Sequence, residues 1–389
     1  MEVKGYKFSA VEAAIKKPGR LDLALIFSEV PANVAAVFTV NKVKAAPVLL
    51  SMERVKNGKA QAVVVNSGNA NACTGKRGLD DAMETTRLVA EGLGVPDDSV
   101  LVSSTGVIGQ PMPMERVRGA VDKLVEGLAS GTLDGVAQAI MTTDTFPKLQ
   151  VRNGDGYAIA GVAKGAGMIM PNMATMLSFV VTDAAVDGVC LQQLLKEAVD
   201  SSFNIISVDG DMSTNDTVVL MANGVAGIPL LKPGTPEGEN FAAKLKDLLL
   251  ALARQIVQDG EGATKFVGIT VKGAVSTGEA KQAAMAVANS SLVKTAFFGQ
   301  DANWGRIIAA VGYSGAQVDP ERVDIFFDDV RMARDGIFAG GDAEERGTIV
   351  LKNKEFSVTI DLKLGSGSAT VYTSDLSYDY VKINADYRT

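Results

Sequence analysis

The chain has 389 residues, 47% apolar and 21% charged, so it is long enough for two domains that each bury a hydrophobic core. Its formal charge is −7 and it has no run of five or six basic residues, so nucleic acid and anionic membranes are poor candidates as partners. No apolar segment has the length of a signal peptide core or of a membrane span, and we therefore expect a cytoplasmic protein.

The sequence contains no histidine. This removes Ser-His-Asp and Cys-His nucleophiles, imidazole bases and almost every zinc or non-haem iron site. Cys73 and Cys190 form no CxxC pair, and we expect both to be buried small apolar residues rather than a disulfide. We expect no metal centre, so any chemistry must use carboxylates, lysine, hydroxyls, backbone dipoles or a chain terminus.

Strand-like runs alternate with amphipathic helices through the first two thirds of the chain. Strands are predicted at 62–65, 100–103, 157–162, 176–182, 217–221 and 266–271, and helices at 80–92, 114–129, 191–201 and 241–258. The helices follow from apolar residues at helical spacing, as in Leu245, Leu248, Leu252 and Ile256. This alternation predicts an α/β architecture, although it does not give the order of the strands.

The carboxyl-terminal third has a different pattern. Helices are predicted at 278–289 and 304–311, followed by strands at 323–327, 356–362 and 369–373. A turn at 363–368, with Gly365 and Gly367, joins the last two strands. We place a larger α/β domain at 1–275 and a smaller C-terminal α/β domain at 276–389.

Two short motifs fail on their spacing. Gly165 and Gly167 begin a dinucleotide-binding pattern, but its third glycine would fall at Met170. The run 209–214 begins like a calcium loop, yet its sixth position is Thr214 and its twelfth is Leu220. We interpret the second run as a hydrogen-bonded polar turn.

The segment PNMATML, residues 171–177, runs from a proline-containing loop into an apolar strand, and Thr175 stands at the junction. A threonine that merely opens a strand is one interpretation, since β-branched residues are common there. The alternative is cleavage between Ala174 and Thr175, which would give Thr175 both a hydroxyl nucleophile and a free α-amine. An α-amine has a pKa of about 7.7–8.0, so it could act as the base that histidine supplies elsewhere.

Long motifs spread along the chain support the second interpretation. They are VVVNSGNANACTG (63–75), SSTGVIGQPMP (103–113), MTTDTFPK (141–148), AKGAGMIMPNMATML (163–177), DGDMSTND (209–216), GEGATKF (260–266) and DANWGRI (301–307). In these motifs and their order, the sequence resembles the bifunctional ornithine acetyltransferase and glutamate N-acetyltransferase family of arginine biosynthesis.

The resemblance implies an activity and a processing step. It implies autocleavage into an α fragment, 1–174, and a β fragment, 175–389, which associate as α2β2. Thr175 would take acetyl from N2-acetylornithine and pass it to glutamate in a ping-pong cycle. Some family members also accept acetyl-CoA, and no cofactor is implied. The implied fold of the larger domain is a layered α-β-β-α arrangement.

The resemblance also assigns roles to residues. The oxyanion hole would be Thr105 and Gly106. The implied substrate contacts are Thr145, Lys164, Thr175, Glu261, Asn384 and Thr389. Each has a simpler interpretation: Thr105 and Gly106 could form an ordinary turn after a strand, Lys164 a solvated loop residue, and Glu261 an exposed loop acid. Thr142 and Thr143 compete with Thr145 for the substrate contact.

Two other functions remain open from the sequence. An amidase or aminopeptidase could share the self-cleaving fold, with water in place of glutamate as the acceptor. The second is a metabolite-binding protein without catalytic activity, and a chain that remains uncut would favour it.

Overall fold

The computed structural model describes residues 3–170 and 176–386, so the predicted cleavage between Ala174 and Thr175 lies outside the described residues. The chain divides into two compact units. The first consists of Met1–Met168, Asn172–Asn204 and Asp211–Ile256, and the second of Ile169–Pro171, Ile205–Gly210 and Val257–Thr389. The main part of the second unit therefore begins at Val257, whereas the sequence pattern predicted a smaller domain at 276–389.

The first unit contains one eight-stranded sheet among its described residues. Its strands are β1 (Tyr6–Val11), β2 (Leu23–Phe38), β3 (Lys59–Asn69), β4 (Val100–Val107), β5 (Lys148–Asn153), β6 (Ala158–Lys164), β7 (Leu177–Thr182) and β9 (Thr217–Ala222). The order is β4-β3-β2-β9-β7-β6-β5, with β1 paired to β2. Each strand that the sequence predicts in this unit is present.

Six helices accompany this sheet in the described residues. They are α1 (Ala46–Arg54), α2 (Gly75–Leu93), α3 (Met114–Glu126), α4 (Leu133–Ala139), α5 (Gly188–Asp200) and α6 (Pro236–Gln258). The four predicted helices correspond to α2, α3, α5 and α6. Leu245, Leu248, Leu252 and Ile256 are all fully buried, as the helical spacing predicts.

The sheet has two halves, and the long strand β2 runs through both of them. Residues 23–27 pair with both β1 and β3, whereas residues 33–38 pair with β9. The register shifts between Phe27 and Ala32, where an irregularity separates the two parts. Such irregularities bend a strand and increase its twist, so β2 can pass from one half of the sheet to the other.

One apolar core contains residues from both halves, including Ile26 and Val63 from the first and Phe179 and Val219 from the second. Successive side chains of a strand point to opposite faces of the sheet, so each half also has a face directed away from this shared core. In the first half this face packs against α2 and α3 in a separate core that includes Val64.

The second half is covered by α6. A Cβ placed on Gly161 in β6 would lie 2.9 Å from Leu248 and 3.1 Å from Val180, which is the face opposite Phe179. The layers are thus helix, sheet, sheet and helix, as the family resemblance implied. This close approach between β6 and α6 also explains why residue 161 carries no side chain.

The second unit is a smaller α/β structure. Its strands are β8 (Ile206–Ser207), β10 (Phe266–Ala274), β11 (Asp324–Phe327), β12 (Val330–Arg334), β13 (Ile337–Phe338), β14 (Glu355–Asp361) and β15 (Gly367–Ser374). Its helices are α7 (Thr277–Ala288), α8 (Ser291–Phe298), α9 (Trp304–Gly312), α10 (Ala343–Lys352) and α11 (Tyr378–Ala385). Apolar residues of α7 and α9 pack against β10, β11 and β14 in one core.

The turn at 363–368 joins β14 to β15, but the two strands are not neighbours. The sheet order is β13-β12-β11-β14-β10-β15-β8, so β10 lies between them. It pairs parallel with β14 and antiparallel with β15. Short separation in sequence favours a hairpin, and here the pairing of both strands with a distant one overrides that preference.

The cysteine prediction was half right. Cys190 is buried, whereas Cys73 is exposed, and neither forms a disulfide. Cys73 has a backbone φ of +58° in the loop that leads into α2. That conformation is set by the surrounding turn and not by burial of the thiol.

Candidate active site

Thr105 and Gly106 lie inside β4, and not at a turn after it as the sequence suggested. The strand continues to Val107 because it pairs in parallel with β3 through residues 62–69. Gly106 has a φ of +137°, and a Cβ there would lie 2.3 Å from the carbonyl carbon of Gly68. Only glycine fits where the two backbones come this close.

The asparagines of the neighbouring motifs hold this part of β4 in place. Asn66 accepts a hydrogen bond from the Ser104 hydroxyl over 2.6 Å. The amide of Asn215 donates to the carbonyls of Ser104 and Ala70 over 2.8 and 2.7 Å. All these groups are buried, so the bonds satisfy backbone and side-chain atoms that water does not reach and fix the strand that carries Thr105.

Lys164 is the last residue of β6 and is only 3% exposed. The sequence placed it in a glycine-rich loop, but its backbone pairs with Leu177 of β7. Its Nζ donates a hydrogen bond to Thr105 Oγ1 over 3.3 Å. A hydroxyl that accepts one hydrogen bond still has its own proton to donate, and the ammonium group of Lys164 therefore leaves Thr105 able to act as a donor.

Asp144 is a fully buried carboxylate near two ammonium groups. Its Oδ1 accepts hydrogen bonds from Lys148 Nζ and Gly165 N, each over 2.7 Å, and its Oδ2 accepts one from Thr142 N over 2.9 Å. Burial alone would raise the pKa of Asp144, but the charges of Lys164 and Lys148 and these hydrogen bonds lower it to about 2. The ionised carboxylate of Asp144 thus interacts with two lysines, one of which contacts Thr105.

Thr145 follows Asp144 directly and is exposed. Thr142 and Thr143 are half-buried, and the Thr142 backbone is tied to Asp144. Which of the three hydroxyls contacts substrate therefore stays a prediction, with Thr145 the one presented to solvent.

Asp216 lies just before β9 and contacts the residue that follows Thr175. Its Oδ1 accepts a hydrogen bond from Met176 N over 3.1 Å, and its Oδ2 has no hydrogen-bond partner within the described part of the chain. Burial raises the pKa of the Asp216 carboxyl well above its usual range, although the bonds from Met176 and Thr39 and the charge of Lys164 act to lower it. Burial therefore favours the neutral form of this carboxyl.

The second unit brings together two other predicted site residues. Glu261 is 8% exposed, in the turn between α6 and β10, and its Oε2 accepts a hydrogen bond from Asn384 Nδ2 over 2.8 Å. Helix α11, which carries Asn384, is tied to the same turn by a 2.6 Å hydrogen bond from the Ser377 hydroxyl to Gly262 O. Thr389 lies outside the described residues.

A further buried lysine lies in the second unit. Lys294 of α8 is 3% exposed, and its Nζ donates to Thr373 Oγ1 over 2.9 Å and to Ser374 O. Burial lowers the pKa of Lys294 to about 7, although the charges of Asp375 and Asp209 act to raise it. The two carboxylates thus offset only part of the cost of burying the ammonium group.

Sequence reasoning passed over Asp144, Lys148 and Asp216, although each lies in one of the quoted motifs. The signal that could have found Asp216 is a charged residue directly before β9, a strand that is buried on both faces. Such a charge must be paired or neutral, and either state affects its surroundings.

The part of the chain that the structure describes contains neither a metal-binding cluster nor a membrane-spanning helix. No group of three or more carboxylate or thiol side chains within 3–170 and 176–386 could hold a metal ion. In the same ranges, no helix combines the length and the apolar character needed to cross a bilayer.

The layered fold and the buried pair of hydroxyl and ammonium groups define an α/β enzyme. The chain belongs to the ArgJ family, whose model matches residues 7–389. The protein called arginine biosynthesis bifunctional protein ArgJ in Geobacter sulfurreducens is 70% identical over 393 residues and covers 100% of both chains. The protein of the same name in Syntrophotalea carbinolica is 57% identical, again over 100% of both chains.

A solved structure shares the fold. The crystal structure of arginine biosynthesis bifunctional protein ArgJ from Bacillus halodurans is 45% identical, with a TM-score of 0.53. The match covers 55% of this chain and 100% of the solved one.

Proposed function

We propose that this protein transfers acetyl from N2-acetylornithine to glutamate in arginine biosynthesis, through an acetyl ester on Thr175. The products are ornithine and N-acetylglutamate. The observation that carries the proposal is the buried contact between Lys164 and Thr105, within a chain that matches the ArgJ family over residues 7–389. This contact provides a polarised hydroxyl donor in an environment that excludes water.

The nucleophile forms in a first reaction on the chain itself. The Thr175 hydroxyl attacks the carbonyl carbon of Ala174, the peptide bond to the Thr175 nitrogen breaks, and that nitrogen gains a proton. Water then hydrolyses the ester, which leaves fragments 1–174 and 175–389. The second fragment has 215 of the 389 residues, or 55%, and this is the share of the chain that the solved ArgJ structure covers.

The catalytic cycle uses the same hydroxyl twice. The freed α-amine takes the proton of the Thr175 hydroxyl as its oxygen attacks the acetyl carbonyl, and then gives that proton to the departing ornithine amine. Glutamate attacks the resulting ester with its own amine. An α-amine with a pKa near neutrality suits both steps, because it can accept and return a proton at working pH.

Each attack places negative charge on the carbonyl oxygen. We assign its stabilisation to the hydroxyl of Thr105 and the backbone N–H of Gly106. A well-placed donor of this kind is worth roughly 10²–10³ in rate. The ammonium group of Lys164 strengthens it, since it withdraws electron density from the Thr105 oxygen and favours donation of the hydroxyl proton.

The substrate charges fit two groups of residues. The ammonium group of Lys164 suits the α-carboxylate that acetylornithine and glutamate have in common, with Thr145 as a hydroxyl ligand. Glu261 offers a carboxylate for the δ-ammonium group of ornithine. Asn384 orients that carboxylate, and we assign Thr389 to the same substrate contacts.

The cycle needs no bound cofactor, because it moves an acyl group between a hydroxyl and amines without any redox step. Acetyl-CoA enters only as an alternative acetyl donor. Incubation with acetyl-CoA and glutamate, without acetylornithine, tests this second use. We further propose that the fragments associate as α2β2, which native mass spectrometry would show directly.

The decisive experiment is denaturing mass spectrometry of the purified protein before and after addition of N2-acetylornithine. We expect two fragments that break after Ala174, and an acetyl group gained only on 175–389. Thr175→Ala should stay uncut and inactive, whereas Thr175→Ser keeps a hydroxyl and should still cleave. A full-length mass in a fully active sample would rule out the mechanism. Acetate released faster than acetylglutamate would instead indicate an amidase.

A further inference from the structure

Helix α11, the last helix of the described chain, buries none of its residues. A surface helix usually packs an apolar stripe against its domain, but the large apolar side chains of Tyr378 and Val381 are 83% and 64% exposed. Eight residues are also too few for a helix to be stable by itself in water. The place of α11 therefore depends on a small number of directional contacts.

The turn that carries Glu261 supplies two of these contacts. Ser377, the N-cap residue of α11, donates its hydroxyl to Gly262 O over 2.6 Å. Asn384 Nδ2 donates to Glu261 Oε2 over 2.8 Å. The backbones also approach closely, because a Cβ on Gly262 would lie 2.4 Å from Tyr380 N and the φ of Gly262 is +67°. Only glycine fits there, so the helix and the turn lie directly against each other.

Tyr380 holds the helix to a different segment of the same unit. Its hydroxyl donates to Asp209 Oδ2 over 3.3 Å. Asp209 is itself fixed, because its Oδ1 accepts a hydrogen bond from Ile169 N over 2.8 Å. Ser377, Tyr380 and Asn384 occupy positions i, i+3 and i+7, so they lie on one side of α11. This polar side, and not an apolar one, sets where the helix docks.

We propose that Tyr380 is a positioning residue for Glu261. Its bond to Asp209 holds α11 in the place where Asn384 orients the Glu261 carboxylate toward the ammonium group of acetylornithine. The inference rests on the proposed function, since it takes Glu261 as the ligand of that ammonium group. It adds two residues, Tyr380 and Asp209, that act through Glu261 and not by touching substrate.

The position of this carboxylate matters because its attraction for an ammonium group falls with the distance between them. When α11 leaves its place, Asn384 withdraws and Glu261 loses the hydrogen bond that orients it. The apparent affinity for acetylornithine then falls with the fraction of molecules in which the helix is docked. Glutamate has a carboxylate in place of the side-chain ammonium group, so its binding gains nothing from Glu261. Loss of the Tyr380 bond should therefore weaken one substrate and spare the other.

The test is Tyr380→Phe, which removes the hydroxyl and retains the ring. The ratio of kcat/KM for acetylornithine to kcat/KM for glutamate should fall by about three- to tenfold, since the lost bond is to a carboxylate but both groups are half-buried. The matched control is Tyr378→Phe, which removes an exposed hydroxyl from the same helix. It keeps the ring that meets Phe298 edge-on, with centroids 5.5 Å apart, and should leave the ratio unchanged.

A purely structural role of Tyr380 predicts a different result. Partial unfolding of the enzyme lowers kcat/KM for both substrates alike, so their ratio would stay as in the wild type. A ratio for Tyr380→Phe equal to that of Tyr378→Phe would overturn the inference.

The double variant of Tyr380→Phe with Glu261→Gln shows whether Tyr380 acts through Glu261. We expect it to have the ratio of Glu261→Gln alone, because no carboxylate is left to position. Effects that multiply would overturn the inference. If Glu261→Gln lowers the ratio and Tyr380→Phe does not, only the inference fails. If Glu261→Gln leaves the ratio unchanged, the proposed substrate contact of Glu261 fails and the inference fails with it.

A second measurement needs no variant. Binding and docking are linked, so ornithine must favour the docked helix as strongly as the docked helix favours ornithine. Hydrogen exchange of the wild type should therefore slow at the backbone amides of α11 when ornithine is added, and stay the same in α10 of the same unit. No slowing in α11, or equal slowing in both helices, would overturn the inference even if Tyr380→Phe did not fold.

Discussion

The ammonium group of Lys164 donates a hydrogen bond to the hydroxyl of Thr105, and both side chains are buried. The two residues are 59 positions apart and lie on β6 and β4, at opposite parts of the sheet order. Their contact therefore depends on the two halves of the sheet lying face to face. It also connects the proposed oxyanion donor with the charge that polarises it.

The first prediction concerns this donor. Thr105→Val keeps the shape of the side chain but removes the hydroxyl, so we expect kcat to fall by about 10²–10³. Thr105→Ser retains the hydroxyl and should lose much less. Steady-state kinetics of acetyl transfer, with cleavage checked by mass spectrometry, measures both. A kcat for Thr105→Val within twofold of the wild type would remove Thr105 from the mechanism.

The second prediction concerns the backbone at the same site. Gly106→Ala should destabilise the protein by at least about 2 kcal/mol, because its Cβ would meet the backbone of Gly68 and its φ is +137°. Gly109→Ala is the control, since φ there is +83° but nothing lies within 4 Å of the new Cβ. Thermal unfolding compares them, and equal losses would mean that the close approach does not matter.

The third prediction is acid sensitivity from Asp144. Its pKa is lowered to about 2 from the usual 3.8, so its stabilising effect is complete above pH 4 and is lost as pH falls through 2. Asp144→Asn should lower the free energy of unfolding at pH 7 by about 2 kcal/mol and flatten its decline between pH 4 and 2. Glu84→Gln breaks the exposed pair with Arg118 and should have a much smaller effect. Similar effects of the two substitutions would contradict the buried pairing.

The fourth prediction separates the two substrates. Glu261→Gln keeps the hydrogen bond with Asn384 but loses the charge, so KM for acetylornithine should rise about tenfold or more, while KM for glutamate changes little. The matched control is Glu355→Gln, whose carboxylate accepts a 2.9 Å hydrogen bond from the Gln258 amide in the same unit. Equal increases of KM for both substrates would exclude Glu261 as the ligand of the ammonium group.

The fifth prediction is an alkaline rise in stability from Lys294. Its pKa is lowered to about 7 from 10.5, so the unfolded chain binds more protons than the folded one between these values. Stability therefore increases with pH in this window, by up to about 1.4 kcal/mol per pH unit for one proton. Lys294→Met should remove this contribution. Denaturant unfolding at pH 7 and pH 9 would reveal it, and parallel changes in both proteins would refute the prediction.

The helices and strands that the sequence predicted depend on the spacing of residues that are close together in the chain. The spacing of leucines in α6 and the β-branched runs of β3 and β7 depend on the period of a helix or a strand, which neighbouring residues determine. The pairing of strands, in contrast, depends on residues that are far apart in the chain. The turn at 363–368 resembled a hairpin connection, yet β10, which ends about ninety residues earlier, occupies the position between the two strands.

The candidate active site shows the same contrast between local residue pattern and long-range strand pairing. Glycine-rich surroundings suggested that Lys164 was a loop residue, but the pairing of β6 with β7 extends the strand through it. Thr145 attracted attention as a hydroxyl, while its neighbour Asp144 is the group that the structure buries between two lysines. Residue type does not distinguish a carboxylate at the surface from one in a core, because the two differ only in their surroundings in the folded protein.

The sequence by itself determined the chemistry that was possible: with no histidine present, a base had to come from elsewhere, and the motifs indicated the family and a threonine nucleophile. The tertiary structure decided which charges meet. It placed Lys164 against Thr105, Asp144 between two ammonium groups and Asp216 beside Met176, because these contacts arise from strand order and sheet packing between distant segments. Local residue preferences cannot specify such contacts, since the free energy that fixes them comes from burying whole faces of the sheet.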